Sequence, residues 1–212
     1  MNIPFFPNTG DGTHCFQAAL KMALAHLLPE REFSYEFLDE MSGKKPGKWT
    51  WPTAAMLWLI EEGFEIGLVE EFDYREFVND GGEYLLRRYG REVGEAQIKN
   101  SDIEYEREIA KRFIDIAPIE YRIPNFDDLK KAFSENSVSI INLNAQALLG
   151  ISGYSGHFIV VCDVDEKNVR LHDPGLPPRP NLIVSCDVFN KAWGYPTIHE
   201  RNLLFMRKLK LS

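Results

Sequence analysis

No stretch of this 212-residue chain approaches the ~20 consecutive apolar residues that a membrane-spanning helix needs. Its longest apolar runs, such as Ala54-Ala55-Met56-Leu57-Trp58-Leu59-Ile60, fall far short, which excludes a helical membrane protein. Cysteine is scarce too: Cys15, Cys162 and Cys186 form neither a CxxC pair nor an even disulfide framework, and that count fits a reducing compartment. Positive charge is in deficit, with 24 Lys+Arg against 32 Asp+Glu and a net charge of −8. No basic stripe interrupts that field, so it repels phosphate backbones and nucleic acid is not an expected partner. Low-complexity tracts and internal repeats are missing. The opening Met1-Asn2-Ile3-Pro4-Phe5-Phe6-Pro7-Asn8 has neither a basic n-region nor a sustained apolar h-region, so the expected location is the cytoplasm.

What is present is ordinary globular material: 44% hydrophobic and 26% charged residues, on a length that suits one well-buried core. A single domain over 1–212 is expected. Phe16, Ala19, Leu20, Ala23, Leu24, Leu27 and Leu28 have the spacing of a helix with one buried face, and Pro29 stops it. Ser34 caps a second short helix; Trp51-Pro52 opens a third, which Gly63 ends. From Asp73 to about Ala117 the pattern is helical and charged, with breaks at Gly81-Gly82 and around Gly90 to Gly94. Glu104, Glu106, Arg107, Glu108, Lys111 and Arg112 read as a solvated face.

The character changes near Ile119. Asn125 to Phe133 is a capped helix, and strands are expected at Val138 to Leu143, Gly156 to Asp163, Val169 to His172 and Asn202 to Leu209. Asp165-Glu166-Lys167-Asn168 is a hairpin connection, and Asp187 to Trp193 is amphipathic. Helices in the first half and an antiparallel sheet in the second give an α+β fold: a helical N-terminal half packed on a C-terminal β-sheet.

Three residues carry chemistry. A thiol is nucleophilic only as a thiolate, and Cys15 stands where unpaired N–H groups and the positive end of a helix dipole lower a thiol pKa. His157 opens a strand after the glycine-rich loop 150–156, and Asp173 closes the partner strand, so a hairpin brings their ends together. A carboxylate so placed holds the second imidazole nitrogen and fixes its tautomer. Cys15 is the candidate nucleophile, His157 its base and Asp173 the orienter. Cys162 and Cys186 read as inert thiols, and Trp49, Trp51 and Trp58 as packing residues. His14, His172 and Asp173 match no metal-ligand spacing, and adjacent strand residues point to opposite faces, so neither a metal nor a cofactor is expected.

The cysteine-headed helix, the late Gly156-His157-Phe158-Ile159-Val160-Val161, the Val169-Arg170-Leu171-His172-Asp173-Pro174-Gly175 segment and the following Val188-Phe189-x-x-Ala192-Trp193 together resemble the C39-like peptidases of the papain-like superfamily. The likeness covers about the first 30 residues and about the last 75. It implies a papain-like fold, a Cys15-His157-Asp173 triad and a peptide or related amide substrate. The family places an oxyanion-hole glutamine six residues before the cysteine; Thr9 stands there instead, and Asn8 is the nearest amide able to take that role, Gln17 in the helix being less well aimed. Three readings stay open: a cysteine peptidase, an inactive papain-like binding module, and an acyltransferase or amidase using the same triad. The sequence says nothing of oligomeric state.

Overall fold

The computed structural model describes residues 1–208. An extended lead-in precedes α1 (Cys15–Leu27), which gives way at Leu28. Ser34 caps α2 (Tyr35–Ser42) by accepting the Phe37 N–H, and α3 (Thr53–Glu61) follows Pro52. The chain then enters β1 (Phe64–Glu70), which the sequence reading left unassigned. Three helices come next: α4 (Tyr74–Asp80), α5 (Gly82–Asn100) and α6 (Ile103–Ile116). The expected breaks fall at Gly81 and at Gly90, whose φ of 73° kinks α5.

The second half runs β2 (Ile119–Glu120), α7 (Phe126–Ser134), β3 (Val138–Asn144), α8 (Ala145–Leu148), β4 (Gly156–Val164), β5 (Asn168–Asp173), β6 (Arg179–Ser185), α9 (Cys186–Trp193), a 3-10 turn (Ile198–Glu200) and β7 (Asn202–Lys208). Leu209, the last residue of the expected final strand, lies outside the described residues. A full capping box starts α7, with the Asn125 side chain accepting the Asp128 N–H and Asp128 accepting the Asn125 N–H in return.

The strands form one seven-stranded sheet in the order β2-β1-β7-β3-β4-β5-β6, antiparallel except where β1 meets β2. The α+β class holds, with two corrections to its expected layout. Strand β1 brings first-half residues into the sheet, and helices cover both faces. Phe158, Val160 and Cys162 of β4 face a core shared with α1 and α3, while Ile159 and Val161 face a second core with Leu129 of α7 and Phe189, Ala192 and Trp193 of α9. Burial of both faces explains why β4 reads as an unbroken apolar run. A third correction concerns Glu106: it is only 4% exposed and accepts a hydrogen bond from Thr53 Oγ1 at 3.1 Å. It is no part of a solvated face.

Cross-strand packing is tight at one point of β1. Gly67 pairs with Phe205 of β7, and the phenyl ring occupies the space of the missing side chain; a Cβ on Gly67 would lie 2.2 Å from the Phe205 ring.

Candidate active site

The antiparallel register gathers four strand ends at one edge of the fold. Asn144 at the end of β3 pairs with Gly156 at the start of β4, Leu143 pairs with His157, and Glu70 at the end of β1 pairs with Asn202 at the start of β7. Asn142 and Asn202 exchange hydrogen bonds, each at 2.8–2.9 Å, which carries the β3–β7 contact to that edge. The N-terminus of α1 packs onto β4 there, with the Phe16 and Phe158 rings 4.9 Å apart.

Cys15 is the first residue of α1, and its N–H makes no hydrogen bond among the described residues, as expected for a helix's first turn. His157 is buried at 8% exposure, and its Nε2 lies 2.6 Å from Asp173 Oδ1. That leaves Nδ1 for the thiol. Burial alone would push the Cys15 thiol up; hydrogen bonding and charge from His157, with the Phe158 and Phe16 N–H groups, outweigh it and hold the thiol below its ordinary value. For His157 burial acts downward, but Asp173 and Cys15 raise it to about 10. Both shifts favour the thiolate–imidazolium form of the pair.

Asp173 is 1% exposed and fully engaged. Besides His157, it accepts the Gly175 N–H at 2.8 Å on Oδ1 and Arg179 Nε at 2.9 Å on Oδ2, with a second Arg179 nitrogen on the same oxygen. Burial would raise its carboxyl, but these donors and the charges of His157 and Arg179 hold it low. Gly175 lies close because nothing else fits, since a Cβ there would come within 2.8 Å of Asp173 Oδ1. Arg179 and Gly175 escaped the sequence reading. The only signal was Pro174-Gly175 as a tight turn, which gives no hint that an arginine on the neighbouring edge strand turns back toward Asp173.

Asn8 sits beside the helix start. Its N–H donates to Pro174 O at 2.8 Å, and its Oδ1 accepts the His14 N–H at 2.8 Å. An N–H only donates, so the amide oxygen is the atom facing His14. Nδ2 remains as a donor without a partner among the described residues. Thr9 is otherwise occupied, bonded to Asp11 and to His14 Nδ1. Gln17 is buried, and its amide donates to Ser42 and Thr50, so it does not serve the site.

His14 is clamped by Asp11 on one nitrogen and Asp39 on the other, at 3.2 and 3.1 Å. His172 turns away from Asp173: Nδ1 accepts the Asn181 N–H and Nε2 donates to Ile3 O. Among the described residues, no three His, Cys, Asp or Glu side chains converge as a metal-ligand set. Cys162 and Cys186 stand apart from the site; burial pushes the Cys162 thiol up to about 11.

Cys15 and His157 open into a cavity of ≈ 190 Å³ that runs along the sheet edge between Trp49, Trp51 and Tyr154 toward Glu70, Arg88 and Glu200. Trp49 and Trp51 thus line the cavity, whereas Trp58 packs on Phe37. The loop before His157 is fixed from Asn144, whose Oδ1 accepts the Gln146 and Ser155 N–H groups and whose Nδ2 donates to Gly153 O. Among the described residues, no helix is long and apolar enough to cross a membrane. The sequence matches no protein-family model and no curated protein.

Proposed function

We propose that this protein is a thiol hydrolase acting on a peptide or small amide bond, with the papain-like fold and C39-like kinship that the sequence resembles. The observation that carries this reading is the linked set of Cys15 at a helix start, His157 against the thiol and Asp173 at 2.6 Å from His157, with Cys15 and His157 opening on one cavity. Cys15 Sγ attacks the carbonyl carbon, and the developing oxyanion takes hydrogen bonds from the Cys15 N–H and Asn8 Nδ2. His157 Nδ1–H protonates the leaving nitrogen as the C–N bond breaks, leaving a thioester on Cys15. The neutral imidazole then takes a proton from water as its oxygen attacks the thioester; the C–S bond breaks, and thiolate and imidazolium are restored. Asp173 keeps Nδ1 aimed at the sulfur throughout. Three free cysteines suit a reducing compartment, and the cytoplasm is the location we assign.

Labelling with a thiol-directed acyl probe tests the reading. The wild type labels at Cys15 alone, Cys15→Ala does not label, and His157→Ala labels at least about tenfold more slowly. Iodoacetamide modifies Cys15 far faster than Cys162 or Cys186. Equal, slow modification of all three in the folded protein removes the thiolate and with it the hydrolase.

A further inference from the structure

We infer that the far end of the cavity binds a cationic group of the substrate, an ammonium or amidinium held between Glu70 and Glu200; this rests on the hydrolase reading above. Glu70 closes a strand whose same-face neighbours Ile66 and Leu68 are core residues at 5% and 2% exposure, so a carboxylate stands where the apolar row continues. One of its oxygens accepts the Tyr74 hydroxyl at 2.7 Å, and it makes no other side-chain hydrogen bond among the described residues. The Glu200 side chain is 6% exposed, with Oε2 3.3 Å from Arg88 Nε, yet neither atom completes a hydrogen bond. Glu70, Tyr74, Arg88 and Glu200 all line the cavity that begins at Cys15.

The charges do not balance. Among the described residues Arg88 is the one cation set against these two largely enclosed carboxylates, and one of its nitrogens is spent on His199 O. Arg201 lies in the same wall, but its guanidinium sits on Asn190 and over the Trp193 ring. The His199 ring is turned to Glu71, and Tyr74, Tyr89 and Tyr154 offer neutral hydroxyls. An uncompensated negative charge taken out of water is costly unless a partner or a proton supplies the balance. Burial accordingly holds both Glu70 and Glu200 up at about 7. A ligand cation supplies the missing charge, a ligand carboxylate adds to the excess, and the Trp49, Trp51 and Tyr89 rings suit the methylene stem of an ammonium.

Reach follows from the register. Glu70 on β1 is three strand spacings from His157 on β4, roughly 14 Å between backbones. With both side chains reaching inward, the cation lies about two residues' length from the scissile carbonyl.

The test compares three acyloxymethyl ketones on the same methylene spacer, ending in ammonium, methyl or carboxylate, by their rates of Cys15 modification in the intact protein. The ammonium probe reacts at least about tenfold faster than the methyl probe, the carboxylate probe is slowest, and in Glu70→Gln or Glu200→Gln the ammonium-to-methyl ratio falls toward one. Equal rates for the three probes on wild type, with iodoacetamide still fast at Cys15, overturn the cation site and leave the hydrolase standing. Slow iodoacetamide modification of Cys15 overturns both.

Discussion

Replacing Asp173 by asparagine changes almost no volume and removes one buried negative charge. Asp173 and Cys15 together lift His157 from 6.5 to about 10 against burial, a preference for the imidazolium worth roughly 5 kcal/mol. If Asp173 supplies even about 2 kcal/mol of it, its removal brings the loss of the imidazolium proton down by about 1.5 pH units. The larger effect is on the tautomer. A carboxylate at 2.6 Å accepts only, so it dictates a proton on Nε2 and directs Nδ1 to the sulfur; an amide can present its NH2 instead and reverse that choice. The same change in a Ser-His-Asp triad costs about 10⁴ in kcat, so Asp173→Asn should lower the acylation rate by 10² to 10⁴. Single-turnover acylation by a chromogenic ester, followed from acid to alkaline pH, measures both effects. In the wild type His157 stays charged up to about pH 10, and the rate falls above that as the proton donor is lost; in the variant that fall begins at lower pH. A rate within threefold of wild type and an unmoved alkaline limb, in a variant with native near-UV circular dichroism, would show that Asp173 does not orient His157.

Two further predictions concern stability. Gly67→Ala forces the Phe205 ring to move and should destabilise by about 1–3 kcal/mol, read as a lower urea midpoint at unchanged m, with Phe205→Leu recovering part of the loss; a change below about 0.5 kcal/mol contradicts the close approach. Burial lifts Glu106 from 4.5 to about 8, so between those values the folded protein holds a proton that the unfolded chain releases. Stability therefore falls as pH rises from about 4.5 to 8, and Glu106→Gln should flatten that fall by a few kcal/mol in urea melts across the range, where an unchanged slope refutes the buried acid.

Much of the fold and the meeting of Cys15, His157 and Asp173 was legible because local rules and local spacing agree. Ser34 and Asn125 cap the helices they precede, and a hairpin turn at Asp165 to Asn168 is enough to bring His157 and Asp173 to one place. Strand β6 was not legible: it is an exposed edge with Pro180 inside it and alternates without a buried row, so nothing in its apolar pattern marks a strand. Strand β1 was hidden behind Gly63, a helix stop with a strand directly after it. The charged end of the cavity was illegible for a different reason. Glu70, Arg88 and Glu200 come from β1, α5 and a turn before β7, each looks like an ordinary surface charge in its own segment, and only the sheet order brings them together. Glu106 failed in the same way, since the face that buries it belongs to Thr53 on another helix.

Cys15 is made 142 residues before His157 (157 − 15), and the strand that seats the histidine joins the sheet between β3 and β5. During biosynthesis the thiol therefore emerges as an ordinary cysteine, and the contact with His157 that lowers its pKa forms only when α1 docks on the sheet. A nascent or misassembled copy carries the thiol without that contact. Pulsed alkylation during refolding would read that moment directly, with Cys15 itself as the reporter.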